Sequence, residues 1–324
     1  MRIAVVFNKP GIDAGPDELD ILDEVGLIEK CLKTLGHESF RLPVTLDLSA
    51  TFKALKSEKP DLIFNLAESI ENHGALVYLV PALLDVIGIP YTGTPTEPMF
   101  ISAGKHLTKQ ILEQKGIPVP GTFAPSEATN LKPGKYIIKP RWEEGSLGLD
   151  EESVFEIPGL EVQKFTGFPE SKYFIEPFIE GREFNVSILA TENEPQVLAV
   201  AEILFVDFPE NKPQILGFRA KWNEDSFEYT HTVRTYDLGV NAEKIRTQLA
   251  DLSLKCWKAL GLRGYGRVDF RMDKAGNPMI LEVNSNPCIS PGSGFFAACE
   301  YAGITFEQAV ERIINDALKS CDSM

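Results

Sequence analysis

The sequence predicts a protein of the α/β class, divided into three domains at residues 1–95, 96–179 and 180–324. Strand-like and helix-like segments alternate through the first domain, which is typical of a parallel sheet covered by helices on both faces. Strand-like runs then follow one another in the middle of the chain, which favours antiparallel sheets. A chain of 324 residues is also longer than one typical hydrophobic core requires.

The first domain is predicted from short apolar runs and from helical periodicity. The runs RIAVVF and DLIFNLAE have the composition of buried strands. Apolar side chains recur at helical spacing after each run, and Gly36 ends the first helix. The segment IPYTGTPTEP, dense in Pro, Gly and Thr, closes the domain. The predicted elements are a strand at 2–7, a helix at 19–35, a strand at 61–68 and a helix at 75–88.

The rest of the chain is predicted to contain strands between a few helices. The turn DKAGN joins the last two strands and so predicts a hairpin. The predicted helices lie at 105–115, 241–260 and 305–319. The predicted strands lie at 135–140, 173–179, 183–190, 196–206, 266–272 and 278–284.

The charge of the chain limits the ligands that it can bind. The formal net charge is −15, and no cluster of Lys or Arg interrupts it. Such a chain repels nucleic acid and anionic membranes, so neither is expected as a partner. An anionic ligand must then be held by a few placed cations, by a metal ion or by backbone N–H groups.

The termini and cysteines predict a cytoplasmic protein. The N-terminal run ends in Asn-Lys-Pro-Gly, as a first strand and its loop would, unlike a signal peptide. No apolar run approaches the roughly 20 residues that span a bilayer. The five cysteines form no Cys-x-x-Cys pair, which favours reduced thiols in packing roles. Cys288 is the exception, because it lies beside the motif described next.

The stretch ILEVNSNP, residues 280–287, places polar side chains at the end of an apolar strand. Because alternate strand residues share a face, Glu282 and Asn284 project together while Leu281 and Val283 project to the other side. A carboxylate and an amide oxygen side by side suit a hard cation. The alternative is a pair of polar residues that begin a turn.

The preceding strand, GRVDFRM, adds to this surface. Arg267 and Asp269 share a face, and antiparallel pairing across the turn would bring Asp269 near Glu282 and Asn284. Carboxylates this close repel each other unless a cation lies between them. All-oxygen ligation predicts Mg²⁺ or Mn²⁺. The alternative is an arginine–carboxylate ion pair without a metal.

Two further motifs have the chemistry of a nucleotide site. In IIKPRWEEGSLG, Lys139 ends a strand before a glycine-bearing loop, which suits phosphate oxygens but is not a Walker A loop. In IEPFIEGREF, Glu176 could accept from the amino group of adenine and Glu183 from ribose hydroxyls. The alternatives are a flexible surface hairpin for the first motif and a solvated acidic loop for the second.

The order of these motifs resembles the ATP-grasp superfamily. The pattern is Lys-Pro followed by Gly-Ser-x-Gly, then Glu-Pro-Phe-Ile-x-Gly-x-Glu-Phe, Gly-Arg-x-Asp and Leu-Glu-x-Asn-x-x-Pro. Together with GIPYTG and Lys105 downstream of it, the chain is most similar to the D-alanine–D-alanine ligases. The resemblance implies a three-domain ATP-grasp architecture with an N-terminal Rossmann-like (pre-ATP-grasp) domain. It also implies that ATP binds between the middle and last domains.

The resemblance implies a role for each matching residue. The residues expected to bind ATP are Lys105, Lys139, Glu176, the Ile179 backbone, Glu183 and Lys221. The expected Mg²⁺ ligands are Asp269, Glu282 and Asn284. The expected catalytic residues are Arg267, Ser146 in the phosphate loop and Lys221 in a mobile loop. The expected substrate residues are Glu18, Glu68, Cys288 and Ser293.

The chain departs from the family mainly at the first substrate. One loop serine is missing, and Trp222 replaces the usual tyrosine after the loop lysine. The family's Gly-Gly-x-Ser-x-Glu loop is absent, with Asp17 or Glu18 as poor stand-ins. Glu68 stands near the usual histidine, and Cys288 replaces a glycine whose N–H serves the oxyanion hole.

The resemblance implies an ATP-dependent carboxylate–amine ligase that forms a peptide bond through an acylphosphate. The substrates would be small and amino-acid-like, the cofactors ATP with Mg²⁺ or Mn²⁺, and the family allows a homodimer. One alternative is a ligase of the same mechanism that joins a different amino acid, or an amino-acid-like acid, to an amine. A second is a nucleotide-binding sensor or partner subunit without turnover.

Overall fold

The N-terminal part of the chain folds as a parallel sheet between helices. The computed structural model describes residues 1–142, 145–157, 165 and 167–321, apart from the side chains of the last two. Its first sheet has the order β2-β1-β3, with both pairings parallel as predicted. The elements are β1 (Arg2–Asn8), α1 (Pro16–Thr34), β2 (Glu38–Val44), α2 (Leu48–Glu58), β3 (Leu62–Asn65), α3 (Leu79–Ile87) and α4 (Thr96–Ala103).

Strand β1 shows why this sheet is buried on both faces. Ile3 and Val5 pack with α1 in one core, whereas Ala4 and Val6 pack with α2 and α3 in another. A strand covered by helices on both sides has no solvent face, so its sequence is continuously apolar rather than alternating.

Two antiparallel sheets follow, as the later strand runs predicted. The smaller has the order β5-β4-β6 and the larger the order β11-β10-β7-β8-β9. The strands are β4 (Gly134–Pro140), β5 (Val154–Ile157), β6 (Tyr173–Pro177), β7 (Gly181–Leu189), β8 (Gln196–Phe205), β9 (Thr232–Thr235), β10 (Tyr265–Asp273) and β11 (Pro278–Asn284). The helices are α5 (Lys105–Gln114), α6 (Phe218–Trp222), α7 (Phe227–Thr230), α8 (Ala242–Leu260), α9 (Gly294–Tyr301) and α10 (Phe306–Cys321).

Several elements were absent from the prediction. Strand β2 was missed because ESFRLPV is half exposed and contains a proline, which is typical of an edge strand. The predicted helix at 75–88 begins as a helix only at Leu79, after a short 3-10 turn. The other missed elements are α2, α4, α6, α7, α9, β5 and β9.

The first and last parts of the chain share one hydrophobic core. Helix α10 packs on α1, and this core contains Ile28 and Leu32 from α1 together with Ile313 and Ile314 from α10. The large sheet covers α8 in a second core. The N-terminal sheet is thereby fixed against the large sheet, and the division into three domains at the predicted bounds stays a prediction.

Buried cysteines contribute to these cores. Cys31 and Cys299 lie in the core shared by the first and last parts, and Cys256 lies beneath the large sheet. All three are free thiols in packing positions, as predicted. Among the described residues, no helix is both long enough and apolar enough to cross a bilayer.

Candidate active site

A cleft between the small and large sheets contains most of the predicted nucleotide residues. We call it the inner cleft. Strands β4 and β6 form one wall, and β7, β10 and β11 form the other. The residues predicted from the sequence that line it are Lys105, Lys139, Ser146, Glu176, Ile179, Glu183, Lys221, Asp269 and Glu282.

The hairpin of β10 and β11 brings its polar residues together as predicted. Asp269 lies opposite Glu282, and Arg267 lies opposite Asn284. The guanidinium of Arg267 donates to both carboxylate oxygens of Asp269, from Nε at 2.8 Å and from Nη2 at 2.8 Å. Asn284 Nδ2 donates to the same carboxylate at 3.2 Å. The oxygen-bearing side chains and the guanidinium therefore occupy one surface.

A β-bulge corrects one detail of that prediction. The register shifts between Asp269 and Phe270, so Phe270 pairs with Ile280 and Leu281 is the extra residue. Ile280 and Val283 enter the core beneath the sheet, whereas Leu281 lines the inner cleft beside Glu282. The expectation that Leu281 faces away from Glu282 was wrong, because strict alternation fails at a bulge.

The charges around Glu282 suit a divalent cation. Lys105 Nζ lies 2.9 Å from a carboxylate oxygen of Glu282. Burial would raise the pKa of Glu282, but Lys105, Lys221 and Arg267 hold it well below its usual value. Burial raises the pKa of Asp269. The charge of Arg267 lowers this pKa, and the negative charge of Glu282 raises it further. A cation between two such carboxylates would relieve their repulsion.

Glu176 is held by two lysines, one of which the sequence analysis missed. Its carboxylate lies 2.6 Å from Lys139 Nζ and 2.6 Å from Lys109 Nζ, and the side chains of Glu176 and Lys109 are almost fully buried. Burial lowers the pKa of Lys109 to about 8, although Glu176 opposes this shift. Lys109 follows Lys105 by one helical turn, so spacing could have found it.

Glu183 has a buried partner that the sequence analysis also missed. The side chain of Arg271 donates to Glu183 at 2.9 Å from Nε, and both residues are buried. Arg271 Nη1 also approaches the carbonyl oxygen of Ile179 at 3.4 Å. The solvated acidic loop is therefore wrong for Glu176 and Glu183. It fits only Glu180, which is half exposed.

The glycine loop is closed by the segment that carries Lys221. Apart from residues 143–144, which lie outside the described part, Gly145, Ser146 and Gly148 all have positive φ. Ser146 Oγ donates to the carbonyl oxygen of Leu216 at 2.7 Å. Trp222 Nε1 donates to the carbonyl oxygen of Gly145 at 2.9 Å. The loop and the segment therefore form one lid rather than a free surface hairpin.

A second space adjoins the inner cleft and contains the predicted substrate residues. We call it the large cavity; its volume is about 790 Å³ and it shares Lys221 with the inner cleft. Glu68, Cys288 and Ser293 line it, as does Arg234, which the sequence analysis missed. Arg234 sits on β9, and its Nη1 approaches the carbonyl oxygen of Ser293 at 3.4 Å.

Glu18 lies outside the residues that line either cavity. Its carboxylate accepts from Asn72 Nδ2 at 2.8 Å and from the Gly11 backbone N–H at 3.4 Å, so it ties two loops together. Asp20 lines the large cavity instead and accepts from Cys288 Sγ at 2.9 Å. The acidic residues of α1 at the cavity are therefore Asp20 and Asp23, not the Glu18 expected from the sequence.

A parallel N-terminal sheet and two antiparallel sheets around such a cleft define an ATP-grasp protein. A solved D-alanine–D-alanine ligase from Bacillus anthracis, complexed with ATP, superposes with a TM-score of 0.75 at 20% identity, covering 100% of this chain and 99% of that one. A ligase of the same name from Coxiella burnetii has a TM-score of 0.71 at 16% identity, covering 100% of this chain and 95% of that one. These likenesses establish the fold.

Sequence comparisons establish the family. The sequence model described as D-ala D-ala ligase C-terminus matches residues 136–315, more than half of the chain. The D-alanine–D-alanine ligase of Aquifex aeolicus is 31% identical over 89% of this chain and 92% of its own length. An uncharacterised protein, y4sG of Sinorhizobium fredii, is 28% identical over 88% of this chain and 84% of its own length. The chain belongs to the D-alanine–D-alanine ligase family.

Proposed function

We propose that this protein is an ATP-dependent ligase that joins the carboxylate of an amino-acid-like substrate to an amine and releases ADP and phosphate. The observation that carries the proposal is the convergence of Asp269, Glu282 and Asn284 beside Arg267 and Lys105. Relatives named D-alanine–D-alanine ligase support the same reaction class.

The polar residues of the hairpin fit a magnesium ion. Asp269 and Glu282 would supply carboxylate oxygens and Asn284 its amide oxygen, which is the donor set that Mg²⁺ prefers. Asp269 is buried beside Glu282, and the two negative charges repel each other, which favours a cation between them. When bound, Mg²⁺ would neutralise the charge on the ATP phosphates.

The cationic side chains have separate tasks in the proposed reaction. Lys105 and Lys139 would hold phosphate oxygens, each exchanging its present carboxylate partner for ATP. Arg267 remains charged, because Asp269 raises its pKa, and it borders the large cavity. It would stabilise the transferred phosphoryl group and then the tetrahedral intermediate formed when the amine attacks. The lid would exclude water from the acylphosphate.

The residues at the first-substrate end support a second candidate function, a ligase whose substrates are not two D-alanines. Glu18 is engaged with Asn72 rather than with the cavity, and Glu68 and Cys288 line the place where the family has a histidine and a glycine. The binding residues for ATP and metal keep the family's pattern, so a sensor without turnover is disfavoured.

A substrate panel tests the proposal. Phosphate release would be measured with ATP, Mg²⁺ and D- and L-amino acids, singly and in pairs, with amide products identified by mass spectrometry. Release with D-alanine alone supports the activity of the named relatives. Release only with other pairs supports the second candidate, and no release with any pair would refute the ligase.

Two variants separate a true active site from contaminating activity. Asp269→Asn removes a metal-ligand charge inside the cleft, and we expect it to lower turnover at least about 100-fold. Asp251→Asn removes the same charge from the exposed face of α8 and should leave turnover unchanged. Equal turnover in both variants would contradict the assigned metal site.

A further inference from the structure

The large cavity has opposite charge on its two sides. Asp20, Asp23 and Glu68 line it from the N-terminal domain. Lys221, Arg234 and Arg267 line it from the C-terminal part of the chain, together with Glu224, and among the described residues no other lysine or arginine lines it. A substrate that fills this space therefore meets only carboxylates as charged groups on the N-terminal side, and three cations with one carboxylate on the C-terminal side.

Glu24 adds a buried carboxylate behind the acidic side. Glu24 is only 2% exposed. A carboxylate oxygen of Asp20, a carboxylate oxygen of Glu24 and Sγ of Cys288 all lie within 4.8 Å of one another. Glu24 Oε1 has no hydrogen-bond partner among the described residues. A buried carboxylate oxygen without a donor is costly, so this atom points to a missing donor.

The surroundings of Glu24 do not supply a cation. Within the described part of the chain, no ion pair joins a lysine, arginine or histidine to Asp20 or Glu24. Glu68 and Asp20 both repel the charge of Glu24. The hydroxyl of Tyr265, also fully buried and without a described partner, lies in the same electrostatic environment.

This acidic side adjoins the reaction centre. Cys288 donates to Asp20 at 2.9 Å, and it is also close enough to Arg267 to influence it electrostatically. A substrate carboxylate placed at Arg267 would thus carry its amine-bearing side toward Asp20, Glu24 and Glu68. An α-ammonium that binds Asp20 leaves the buried Oε1 of Glu24 without a donor.

We infer that the first substrate is a basic amino acid, whose second amine binds as an ammonium group at Asp20, Glu24 and Glu68. The inference rests on the proposed ligase function and names the substrate class of the same site. A primary ammonium has three N–H donors and no acceptor, which matches a cluster of carboxylate oxygens. A divalent metal fits less well, because the Cys288 thiol donates its proton to Asp20 and is no thiolate ligand.

The test compares amino acids of equal length with and without the second amine. The pairs are lysine with norleucine and ornithine with norvaline, in both enantiomers, assayed by phosphate release and amide formation. We expect kcat/KM for the basic member to exceed that of its neutral partner about tenfold or more, since one ion pair of this kind is worth roughly 1.4 kcal/mol. Equal kcat/KM within each pair would overturn the inference while leaving the ligase intact.

Matched variants locate the preference. Glu24→Gln and Asp20→Asn should each reduce the preference for the basic member about tenfold or more. Asp13→Asn removes an exposed charge from the loop before the same helix, outside the cavity, and should leave the preference unchanged. A preference that survives both Glu24→Gln and Asp20→Asn would show that the amine binds elsewhere and would overturn the inference.

A binding measurement keeps the inference separate from turnover. Calorimetry with lysine or ornithine alone, and separately with Zn²⁺ or Mg²⁺ alone, would be run on the full chain and on Glu24→Gln. Binding of the basic amino acid that weakens in Glu24→Gln supports the site, even if no ligation occurs. No binding of either amino acid, or a response to Glu24→Gln only in metal binding, would overturn it.

Discussion

The two ends of the active site differ in how their charges are balanced. In the inner cleft the protein pairs its own charges: Lys105 with Glu282, Arg267 with Asp269, and Glu176 with two lysines. At the acidic side of the large cavity, Asp20 and Glu24 repel each other, and a thiol is the described donor to Asp20.

This difference indicates how each end is prepared for its ligand. In the inner cleft the lysines are already held in place by carboxylates. Each can exchange its carboxylate partner for a phosphate, so no buried cation is left without a partner. The acidic side stores unfavourable like-charge repulsion that a cationic ligand would remove. Stability is commonly sacrificed in this way at functional sites. Removing a charge should therefore destabilise one end and stabilise the other.

The largest expected effect is on turnover at the junction of the two ends. Arg267→Ala should lower kcat about 100- to 1,000-fold, because it removes a cation aimed at charge that develops during the reaction. ATP binding should remain nearly intact, since lysines hold the phosphates. Steady-state kinetics and calorimetry with a non-hydrolysable ATP analogue would measure the two quantities.

Arg246→Ala is the control for Arg267→Ala. It removes an arginine from a half-exposed ion pair with Glu243 on α8, away from both cavities. We expect its kcat to match that of the unaltered protein. Unchanged turnover in Arg267→Ala would contradict the catalytic role and would leave the two ends of the site without a common reaction centre.

The next effect is a loss of stability in the inner cleft. Lys109→Met breaks a buried ion pair with Glu176, and we expect it to lower the free energy of unfolding by about 3 kcal/mol. Lys139 still faces Glu176, which keeps the loss at the lower end of the usual range. Urea denaturation would measure it. Lys258→Met, which breaks an exposed pair with Glu194, should cost at most about 1 kcal/mol.

The sequence predicted strands better than it predicted short helices and edge strands. β1 is almost continuously apolar, β7 and β10 alternate apolar with polar residues, and all three lie inside sheets, so their patterns identify them. β9 has only four residues and no buried side chain, and α6 has five residues, so neither shows a periodic pattern. Their positions are set by contacts with the lid and with β8, which are tertiary and leave no local signal.

In the site, the sequence predicted the residues on the hairpin but not their buried partners. Period-2 spacing placed Asp269 beside Glu282 because two strands and one turn fix that geometry. Helical spacing could have placed Lys109 on the same face as Lys105, but its pairing with Glu176, like that of Arg271 with Glu183, joins residues remote in sequence and depends on the fold. The bulge at Leu281 was equally invisible, since it arises from pairing with β10.

At the acidic side we expect a gain in stability, smaller than the loss predicted for Lys109→Met in the inner cleft. Glu24→Gln keeps the shape of the side chain and removes a buried charge that Glu68 and Asp20 repel. We expect the free energy of unfolding to rise by about 1 to 2 kcal/mol at about pH 8. Urea denaturation of both proteins would measure it. Destabilisation by Glu24→Gln would remove the difference between the two ends.

The pH dependence of stability is a second test of whether Glu24→Gln stabilises the protein. Burial, with Glu68 and Asp20, raises the pKa of Glu24 well above its usual value, so the folded state binds this proton more tightly than the unfolded state. The stability of the unaltered protein should therefore fall, relative to Glu24→Gln, as the pH rises above the usual pKa of a glutamate. Glu29→Gln on the same helix, which breaks a pair with Arg41, should show no such relative gain.

The smallest effect is expected at the lid that covers both ends. Trp222→Phe removes the indole N–H bond to Gly145, and Ser146→Ala removes the hydroxyl bond to Leu216. Each bond should contribute about 1 kcal/mol, or roughly a fivefold change in the KM for ATP. Both variants should also hydrolyse more ATP per amide formed, because an opened lid admits water to the acylphosphate.

A double-mutant cycle decides whether the lid acts as one unit. If loop and segment close together, the double variant should lose less than the sum of the single losses in KM, because either change alone already opens the lid. Thr191→Val removes a similar side-chain bond to the carbonyl oxygen of Glu194, in an exposed loop outside both cavities, and should change neither KM nor coupling. Strictly additive losses would show that the two bonds act separately, so that the nucleotide end and the substrate end are not closed by a common movement.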